Sequence, residues 1–332
     1  MRISNAEGDS LLMEGITIGV FGTEQQTKSA FESSIAKKSE AEGITVFHRI
    51  EGGRRYSFLD SADYPDRIQG YARVASISDH ALFLFPKSGT LSSQDGELAV
   101  LLESLGLPGT LELMDGSVTP EAAVSALRGT TVSLYRAEER FPSSAAIDLS
   151  YACPRQDWPA KGTLIYVDRS FSVKGVGTVA LGFVLAGGVA VHDQLRGIPG
   201  PEGLKFDVKG IQVNDVDVNS AGRGIRVGIS LRGVEAKELE KTHWLDDGSF
   251  ALTDRPTFRF TKAAFYKQQI IGRDLHLQLP GELMPATFTE PSPGIVRASL
   301  PAPAPVWEGM KAGVVDLNGR PLRIAGGATL IL

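Results

Sequence analysis

One segment near the start of the chain has the residue types that bind phosphate. Residues 22–29 read Gly-Thr-Glu-Gln-Gln-Thr-Lys-Ser, after an apolar run and at the start of a helical pattern. A phosphate loop needs a glycine to turn off the strand, a lysine for the phosphates and a hydroxyl for Mg²⁺. Gly22, Lys28 and Ser29 match these positions, whereas Thr27 replaces the second glycine. The segment predicts either a phosphate site or an ordinary strand-to-helix turn.

Three further motifs follow in a fixed order. They are Gly-Ile-Thr ending at Thr45, Arg-Arg-Tyr-Ser-Phe-Leu-Asp ending at Asp60, and Ala-Asp-Tyr at residues 62–64. This series resembles the translational GTPases of the EF-Tu and SelB type. The resemblance implies GTP or GDP with Mg²⁺, with the metal on Ser29, Thr45 and Asp60. The implied nucleotide-binding residues are Gly22, Thr27, Lys28, Ser29, Thr45, Asp60 and Asp115. The alternative is a hairpin whose acidic end caps the next helix.

The chain departs from that family where hydrolysis is controlled. The family has Cys-Pro-Gly-His between its magnesium-shell aspartate and Ala-Asp-Tyr, whereas this chain has only Ser61. The glycine that senses the γ phosphate and the histidine that orients water are therefore missing. Because phosphoryl transfer depends on such positioning, we expect hydrolysis to be weak or absent.

The element that reads guanine in the family is also incomplete. Its Asn-Lys-x-Asp motif corresponds here to Glu112-Leu113-Met114-Asp115, so only the aspartate is retained. The resemblance implies that Asp115 pairs with guanine, but Asp115-Gly116 is equally typical of a plain turn.

The most specific resemblance lies in the second half of the chain. Residues 168–179 match the family's Asp-x-x-Phe-x-x-x-Gly-x-Gly-Thr-Val motif, and Ile-Gln-Val at 211–213 and Leu-Arg-Gly-Val at 231–234 are most similar to SelB. The resemblance implies an aminoacyl pocket whose walls are Asp168, Arg169, Phe171, Gln212, Asn214 and Arg226. Arg226 resembles the cationic residues that face an anionic selenolate in SelB. The alternatives are a solvated barrel rim for Arg226 and core packing for Phe171.

Basic residues alternate with aromatic ones near the C-terminal third. Arg255, Arg259, Lys262, Lys267 and Arg273 lie close together in sequence, among several phenylalanines and a tyrosine. This pattern suits contact with a tRNA backbone. A strand with one solvated and one buried face produces the same pattern.

The order of predicted elements explains how these residues are positioned. Short apolar runs alternate with helical segments up to about residue 143, which predicts a mainly parallel α/β sheet with one antiparallel hairpin. The predicted sheet includes a last strand over Thr131–Tyr135. Short strands separated by glycines follow, which is typical of antiparallel barrels. We expect an EF-Tu-like architecture: a degenerate P-loop GTPase-like domain (1–143), a domain 2-like β-barrel (144–248) and a domain 3-like β-barrel (249–332). Residues 301–305 predict a stiff proline-rich loop.

Composition excludes several classes of protein. The net charge of −5 argues against a general DNA-binding protein, and the single cysteine, Cys153, excludes a disulfide framework. Neither a signal peptide nor a membrane span is expected near the N-terminus. We therefore expect a cytoplasmic monomer that contacts neither DNA nor a membrane.

Three hypotheses about function remain. The first is a SelB/EF-Tu-type factor that binds aminoacyl-tRNA. The second is a tRNA-binding or guardian protein that needs no nucleotide and whose first domain is only a scaffold. The first hypothesis includes guanine nucleotide binding and the ribosome as a partner. The third is a protein partner similar to the gamma subunit of archaeal initiation factor two. The intact Lys28-Ser29 and Thr45 favour the first, and Thr27 favours the second.

Overall fold

The N-terminal part of the protein is a seven-stranded sheet. The structure, a computed structural model, describes residues 13–35, 38–41, 43–51, 54–114, 118–141, 156–200 and 203–332. The strands of this first domain are β1 (Gly15–Phe21), β2 (Lys38–Ala41), β3 (Ile44–Glu51), β4 (Arg54–Asp60), β5 (His80–Leu84), β6 (Gly109–Met114) and β7 (Arg136–Phe141). Its helices are α1 (Gln25–Ile35), α2 (Gln69–Ile77), α3 (Ser93–Leu105) and α4 (Pro120–Ala126).

The first sheet has the order β2-β3-β4-β1-β5-β6-β7. The strands from β4 to β7 pair in parallel, whereas β2, β3 and β4 pair antiparallel. The predicted mainly parallel sheet with an antiparallel hairpin is therefore confirmed, with β2 as an additional edge strand. Parallel strands need both faces covered, and β1 is accordingly buried along its whole length.

One predicted strand is wrong. The segment Thr131–Tyr135 forms a 3₁₀ turn over Thr131–Leu134, and the strand begins only at Arg136. Val132 and Tyr135, three residues apart, are both buried, while Leu134 between them is 84% exposed. This three-residue spacing matches a 3₁₀ turn and not the two-residue period of a strand.

The first barrel contains nine strands. They are β8 (Leu164–Val173), β9 (Gly177–Ala186), β10 (Gly188–Ala190), β11 (Gln194–Ile198), β12 (Phe206–Val213), β13 (Val216–Val218), β14 (Ser220–Gly222), β15 (Arg226–Arg232) and β16 (Trp244–Asp246). Six of them close in the order β11-β16-β8-β9-β15-β12, since β11 also pairs with β12. Alternate side chains of β15, namely Val227, Ile229 and Leu231, fill its interior, as the period of two along a strand requires.

The second barrel contains eight strands. They are β17 (Ala251–Thr253), β18 (Thr257–Lys262), β19 (Leu275–Leu279), β20 (Glu282–Ser292), β21 (Ile295–Ser299), β22 (Ala304–Val306), β23 (Lys311–Val315) and β24 (Ile324–Leu330). Six close in the order β18-β21-β20-β19-β23-β24, while β17 and β22 form a separate pair. The proline-rich segment predicted as a loop thus enters a short strand at Ala304.

A buried ion pair joins α3 to the second barrel. Arg323 donates from its side-chain Nε and from its backbone N–H to Glu97 Oε1, at 3.1 and 2.8 Å. Its guanidinium also donates to the carbonyl of Pro65, while Tyr64 donates to Glu97 Oε2. Nearby, a Cβ at Gly327 would lie 2.4 Å from the carbonyl oxygen of Ser104, so only glycine permits this close approach of β24 to α3.

A second buried carboxylate joins the first domain to the first barrel. Asp79 accepts from Arg223 Nε at 3.0 Å and from the backbone N–H of Thr17 at 3.0 Å. The backbone N–H of Gly15 donates to the carbonyl of Arg223 at 2.9 Å. The arrangement of the three units is therefore fixed by hydrogen-bonded charges as well as by apolar packing.

Replacing Arg323 by methionine should strongly destabilise the protein. The change leaves Glu97 buried without its cation, which typically costs about 3–5 kcal/mol. Urea unfolding measures this free energy. The matched control is Arg320→Met, because Arg320 is exposed and donates to the carbonyl of Gly319. Equal stability of the two variants would contradict a structural role for the Glu97–Arg323 pair.

Candidate functional site

The predicted phosphate lysine lies in a buried ion pair. Lys28 Nζ is 2.9 Å from Asp60 Oδ1 and 3.0 Å from the hydroxyl of Tyr71. Lys28 and Asp60 are 8% and 4% exposed, and Tyr71 is fully buried. Asp60 ends β4 and Tyr71 lies on α2, so two different elements hold the ammonium group. Tyr71 was not predicted as a site residue, since a tyrosine within an apolar helical pattern reads as core.

The residues directly before Lys28 belong to helix α1. Helix α1 begins at Gln25, three residues before Lys28, and the backbone N–H of Lys28 donates to the carbonyl of Glu24 at 3.0 Å. A phosphate cradle instead uses backbone N–H groups that point at the ligand. The hydroxyl of Thr27, at the position of the missing glycine, donates to the Glu24 carboxylate.

Two carboxylates beside this turn, those of Glu24 and Asp95, accept hydrogen bonds from backbone and hydroxyl groups. Glu24 accepts from the backbone N–H groups of Lys87 and Ser88 at 2.7 and 3.1 Å. Partial burial opposes ionisation, but the hydrogen bonds from Thr27, Lys87 and Ser88 lower the pKa of Glu24 overall. Asp95 accepts from the backbone N–H and the hydroxyl of Thr23, at 3.2 and 2.7 Å. Negative charge beside the turn disfavours a further anion.

The cavity at this turn is small. It has a volume of about 230 Å³ and is lined by Gly22, Lys28, Thr45, Asp60 and Tyr71, among others. Sites for small molecules usually have roughly 300–1,000 Å³. Thr45 lies opposite Asp60 in the pairing of β3 with β4, whereas Ser29 is exposed and accepts from Gln25.

Four of the predicted residues, Gly22, Lys28, Thr45 and Asp60, thus line one cavity, but their arrangement differs from that of an open phosphate site. The lysine that would meet phosphate is paired with the aspartate that would meet Mg²⁺. Asp115 lies outside the described residues, so its predicted contact with guanine stays a prediction. Binding of GTP or GDP with Mg²⁺ likewise stays a prediction.

The structure places most of the predicted aminoacyl residues on one outer face of the first barrel. Arg169 lies opposite Leu181, Leu181 opposite Gly228, and Gly228 opposite Gln212. Arg169 and Gln212 are therefore three strands apart, roughly 14 Å at the usual strand spacing. Both are exposed, and Phe171, two residues after Arg169, is 36% exposed. We call this surface, formed by residues 168, 169, 171, 212 and 226, the barrel face.

Asp168 and Arg226 form an ion pair at one end of the barrel face. Arg226 donates from Nε and Nη2 to Asp168 Oδ2 at 3.1 and 2.8 Å, and its guanidinium lies 5.7 Å from the ring centre of Phe183. A register shift between Val167 and Arg169 places Asp168 in a bulge of β8. Such bulges redirect a side chain.

Asn214 has a different position from the other predicted residues. It lies in the turn between β12 and β13 with φ of 51°, and Asp215 beside it has φ of 63°. Left-handed backbone at both central residues is typical of a tight hairpin turn. Gln212 at the end of β12 donates to Asp217 Oδ1 at 2.8 Å.

A larger cavity joins the barrel face to the other two units. It has a volume of about 620 Å³, and its walls include Asp168 and Arg169 from the first barrel. The first domain contributes Arg67 and Arg73, and the second barrel contributes Glu282. We call this space the junction cavity. Its residues come from three distant parts of the sequence, and no local motif marks Arg67, Arg73 or Glu282.

The basic residues of the second barrel are divided between surface and core. Arg255, Arg259, Lys262 and Lys267 are exposed, as is Phe265. In contrast, Arg273 pairs with buried Asp316 at 2.9 Å, and Tyr266 donates to the same carboxylate. The buried aromatic residues Phe258 and Tyr266 belong to the core.

Comparison with known proteins identifies the fold. No family model matches the chain. An uncharacterised protein of Methanocaldococcus jannaschii is 27% identical over 236 residues, 71% of this chain and 73% of that protein. The selenocysteine-specific elongation factor of the same organism is 26% identical over 263 residues, 69% of this chain and 56% of that factor.

Solved structures agree with this likeness. A bacterial selenocysteine-specific elongation factor, EF-Sec, superposes with a TM-score of 0.80 at 18% identity, covering 96% of this chain and 58% of the other. The elongation factor SelB of Methanococcus maripaludis, solved with a GTP analogue, has a TM-score of 0.76 at 19% identity, covering 97% and 80%. The chain therefore has the fold of these SelB elongation factors. It spans less than two thirds of the length of two of these relatives, 56% and 58%. Among the described residues, no helix is both long and apolar enough to cross a membrane.

The contact between the first domain and the barrel face should make stability depend on pH. Burial, and then the charge of Arg226, lower the pKa of His48 from 6.5 to about 4. The folded protein keeps this ring neutral while the unfolded chain takes up a proton, so the stabilisation is present above pH 6.5 and is lost as the pH falls toward 4.

We therefore expect His48→Gln to lose less stability than the wild type between about pH 7 and about pH 4.5. Urea midpoints at the two pH values measure the effect. His192→Gln, in the turn after β10, is the control. A wild-type loss no larger than that of His48→Gln would contradict the assignment.

Proposed function

We propose that the protein binds the aminoacylated end of a tRNA on the barrel face, and that it does so without guanine nucleotide. The observation that carries the proposal is the gathering of Asp168, Arg169, Phe171, Gln212 and Arg226 on one side of the first barrel. Its relatives include elongation factors named for selenocysteine, which supports an aminoacyl-tRNA as the partner.

The chemistry of the barrel face suits the end of a tRNA. The half-exposed ring of Phe171 can stack on a base, and the guanidinium of Arg169 can pair with a phosphate. Gln212 presents an amide to base or sugar hydroxyls. Asp168 and Arg226 pair with each other in the structure. On exchanging partners, they would offer a carboxylate for the ammonium of the amino acid and a cation for a polar side chain.

The junction cavity continues this surface. Asp168 and Arg169 line both, and Arg67 and Arg73 add positive charge from the first domain. A nucleic-acid end placed on the barrel face would meet these arginines next. The exposed cations of the second barrel, including Arg259 and Lys262, would contact the phosphates of a tRNA stem, and their contribution should weaken with salt.

The first domain serves as support in this proposal. The ion pair of Lys28 with Asp60 and the early start of α1 favour tRNA protection without nucleotide over a GTP-driven carrier. Only Ser61 separates Asp60 from Ala62, so the groups that would direct hydrolysis in the related GTPases are missing. We propose a cytoplasmic monomer with no GTPase activity.

Protection of the aminoacyl ester tests the proposal directly. A mixed pool of aminoacyl-tRNAs is incubated with the protein, with and without GTP and Mg²⁺, and spontaneous deacylation of each species is followed. We expect slower deacylation of at least one species, equal under both conditions. Protection only with GTP would support the nucleotide-dependent carrier, and the absence of any protection would contradict tRNA binding.

Phe171→Ala should weaken binding to the protected aminoacyl-tRNA by about tenfold, because base–aromatic stacking contributes about 1–3 kcal/mol per base. The side chain is 36% exposed, so its truncation also loses packing, and thermal unfolding checks that the variant is folded. The control is Leu134→Ala, an 84% exposed residue of the first domain. Titrating each variant into the protection assay gives its affinity for the aminoacyl-tRNA. An unchanged affinity for Phe171→Ala would show that this ring is not part of the binding site.

A further inference from the structure

The hydroxyl of Tyr71 lies where the related motif would bring phosphate, lysine and metal together. It is 3.0 Å from Lys28 Nζ, donates to Asp60 Oδ1 at 2.8 Å, and lies 3.4 Å from the carbonyl oxygen of Gly22. These three partners are the predicted phosphate lysine, the predicted magnesium-shell aspartate and the first glycine of the turn. One hydroxyl thus contacts all three parts of the predicted site.

We propose that Tyr71 is a built-in plug of the first-domain cavity, which keeps nucleotide out and holds Lys28 and Asp60 in place of a bound ligand. The inference deepens the nucleotide-free part of the proposed function and rests on it, but it is independent of tRNA binding. A phosphate reaching Lys28 would have to displace the hydroxyl and separate an ion pair whose members are 8% and 4% exposed.

The ring of Tyr71 is fixed from two sides. Its centre lies 5.3 Å from that of Phe21 at the end of β1 and 5.2 Å from that of Tyr64. Aromatic pairs at these separations are attractive beyond the area that they bury. Rotation of the side chain out of the cavity would therefore break the packing of the domain core.

Helix α2 itself is tied to the second barrel. Ser76 Oγ accepts from the side chain of Gln278 and from the backbone N–H of Gly281, both at 2.9 Å. Arg73 donates from Nε to the carbonyl of Gly281 at 3.0 Å. Withdrawing Tyr71 by moving the helix would break these buried contacts, so the plug is held by the tertiary structure and not only by its own rotamer.

Two substitutions at this position test the plug. Tyr71→Phe removes the hydroxyl and keeps the ring, and Tyr71→Val also opens space in the cavity. Tyr135→Phe is the matched control, because Tyr135 is a buried tyrosine of the same domain whose hydroxyl bonds to the carbonyl of Leu107. Equilibrium dialysis with GTP and Mg²⁺ measures nucleotide binding by the full chain, and thermal unfolding confirms that each variant is folded.

We expect no saturable binding by the wild type or Tyr135→Phe, and at least tenfold tighter binding by Tyr71→Val. Wild-type binding as tight as that of Tyr71→Val, or no gain in a folded Tyr71→Val, would overturn the proposal. Should Tyr71→Val not fold, Tyr71→Phe decides through a second readout, acylation of Lys28 by an amine reagent followed by mass spectrometry. Labelling of Lys28 should rise several-fold in Tyr71→Phe and stay at the wild-type level in Tyr135→Phe; equal labelling in both would overturn the plug.

The deacylation assay on the same proteins separates this inference from the proposed function. A gain of nucleotide binding in Tyr71→Val without any tRNA protection by the wild type leaves the plug standing and removes the tRNA proposal. If the wild type protects aminoacyl-tRNA without GTP and Tyr71→Val gains no nucleotide binding, the tRNA proposal stands and the plug is overturned.

Discussion

Helix α2 is the element on which the arrangement of the molecule depends, because buried polar groups hold it from both sides. On one side Tyr71 contacts Lys28 and Asp60, and on the other Ser76 contacts Gln278 and Gly281 of the second barrel. Buried polar groups are costly unless they are hydrogen-bonded. Each contact therefore requires its partner element to stay in place. Together these contacts fix the positions of the first sheet, helix α2 and the second barrel relative to one another.

The same constraint divides the protein into two chemical regions. In the cavity of the first domain, Lys28 and Asp60 neutralise each other as a buried ion pair. On the barrel face, Arg169 and Gln212 are exposed. A buried pair contributes little to ligand binding unless it is broken, whereas exposed groups are open to a partner. The exposed polar groups of the barrel face thus differ in accessibility from the buried pair of the first domain.

The likeness to SelB structures at 18–19% identity shows which features maintain such a fold. Barrel interiors need only apolar residues at alternate positions, so their sequence can diverge widely. Close approaches are stricter. A Cβ at Gly224 would lie 2.4 Å from the carbonyl oxygen of Gly15, so the contact between the first domain and the first barrel requires glycine there.

The sequence by itself determined the fold class and the candidates for the site. The order of motifs from Gly22 to Asp60, and the Asp-x-x-Phe pattern at Asp168, depend on local spacing, which a sequence displays directly. It could not show that Lys28 would be occupied, because Tyr71 reaches it only when α2 packs beside β4. Nor could it show the junction cavity, whose walls come from three units. Those features are long-range contacts between side chains, and only the tertiary structure decided them.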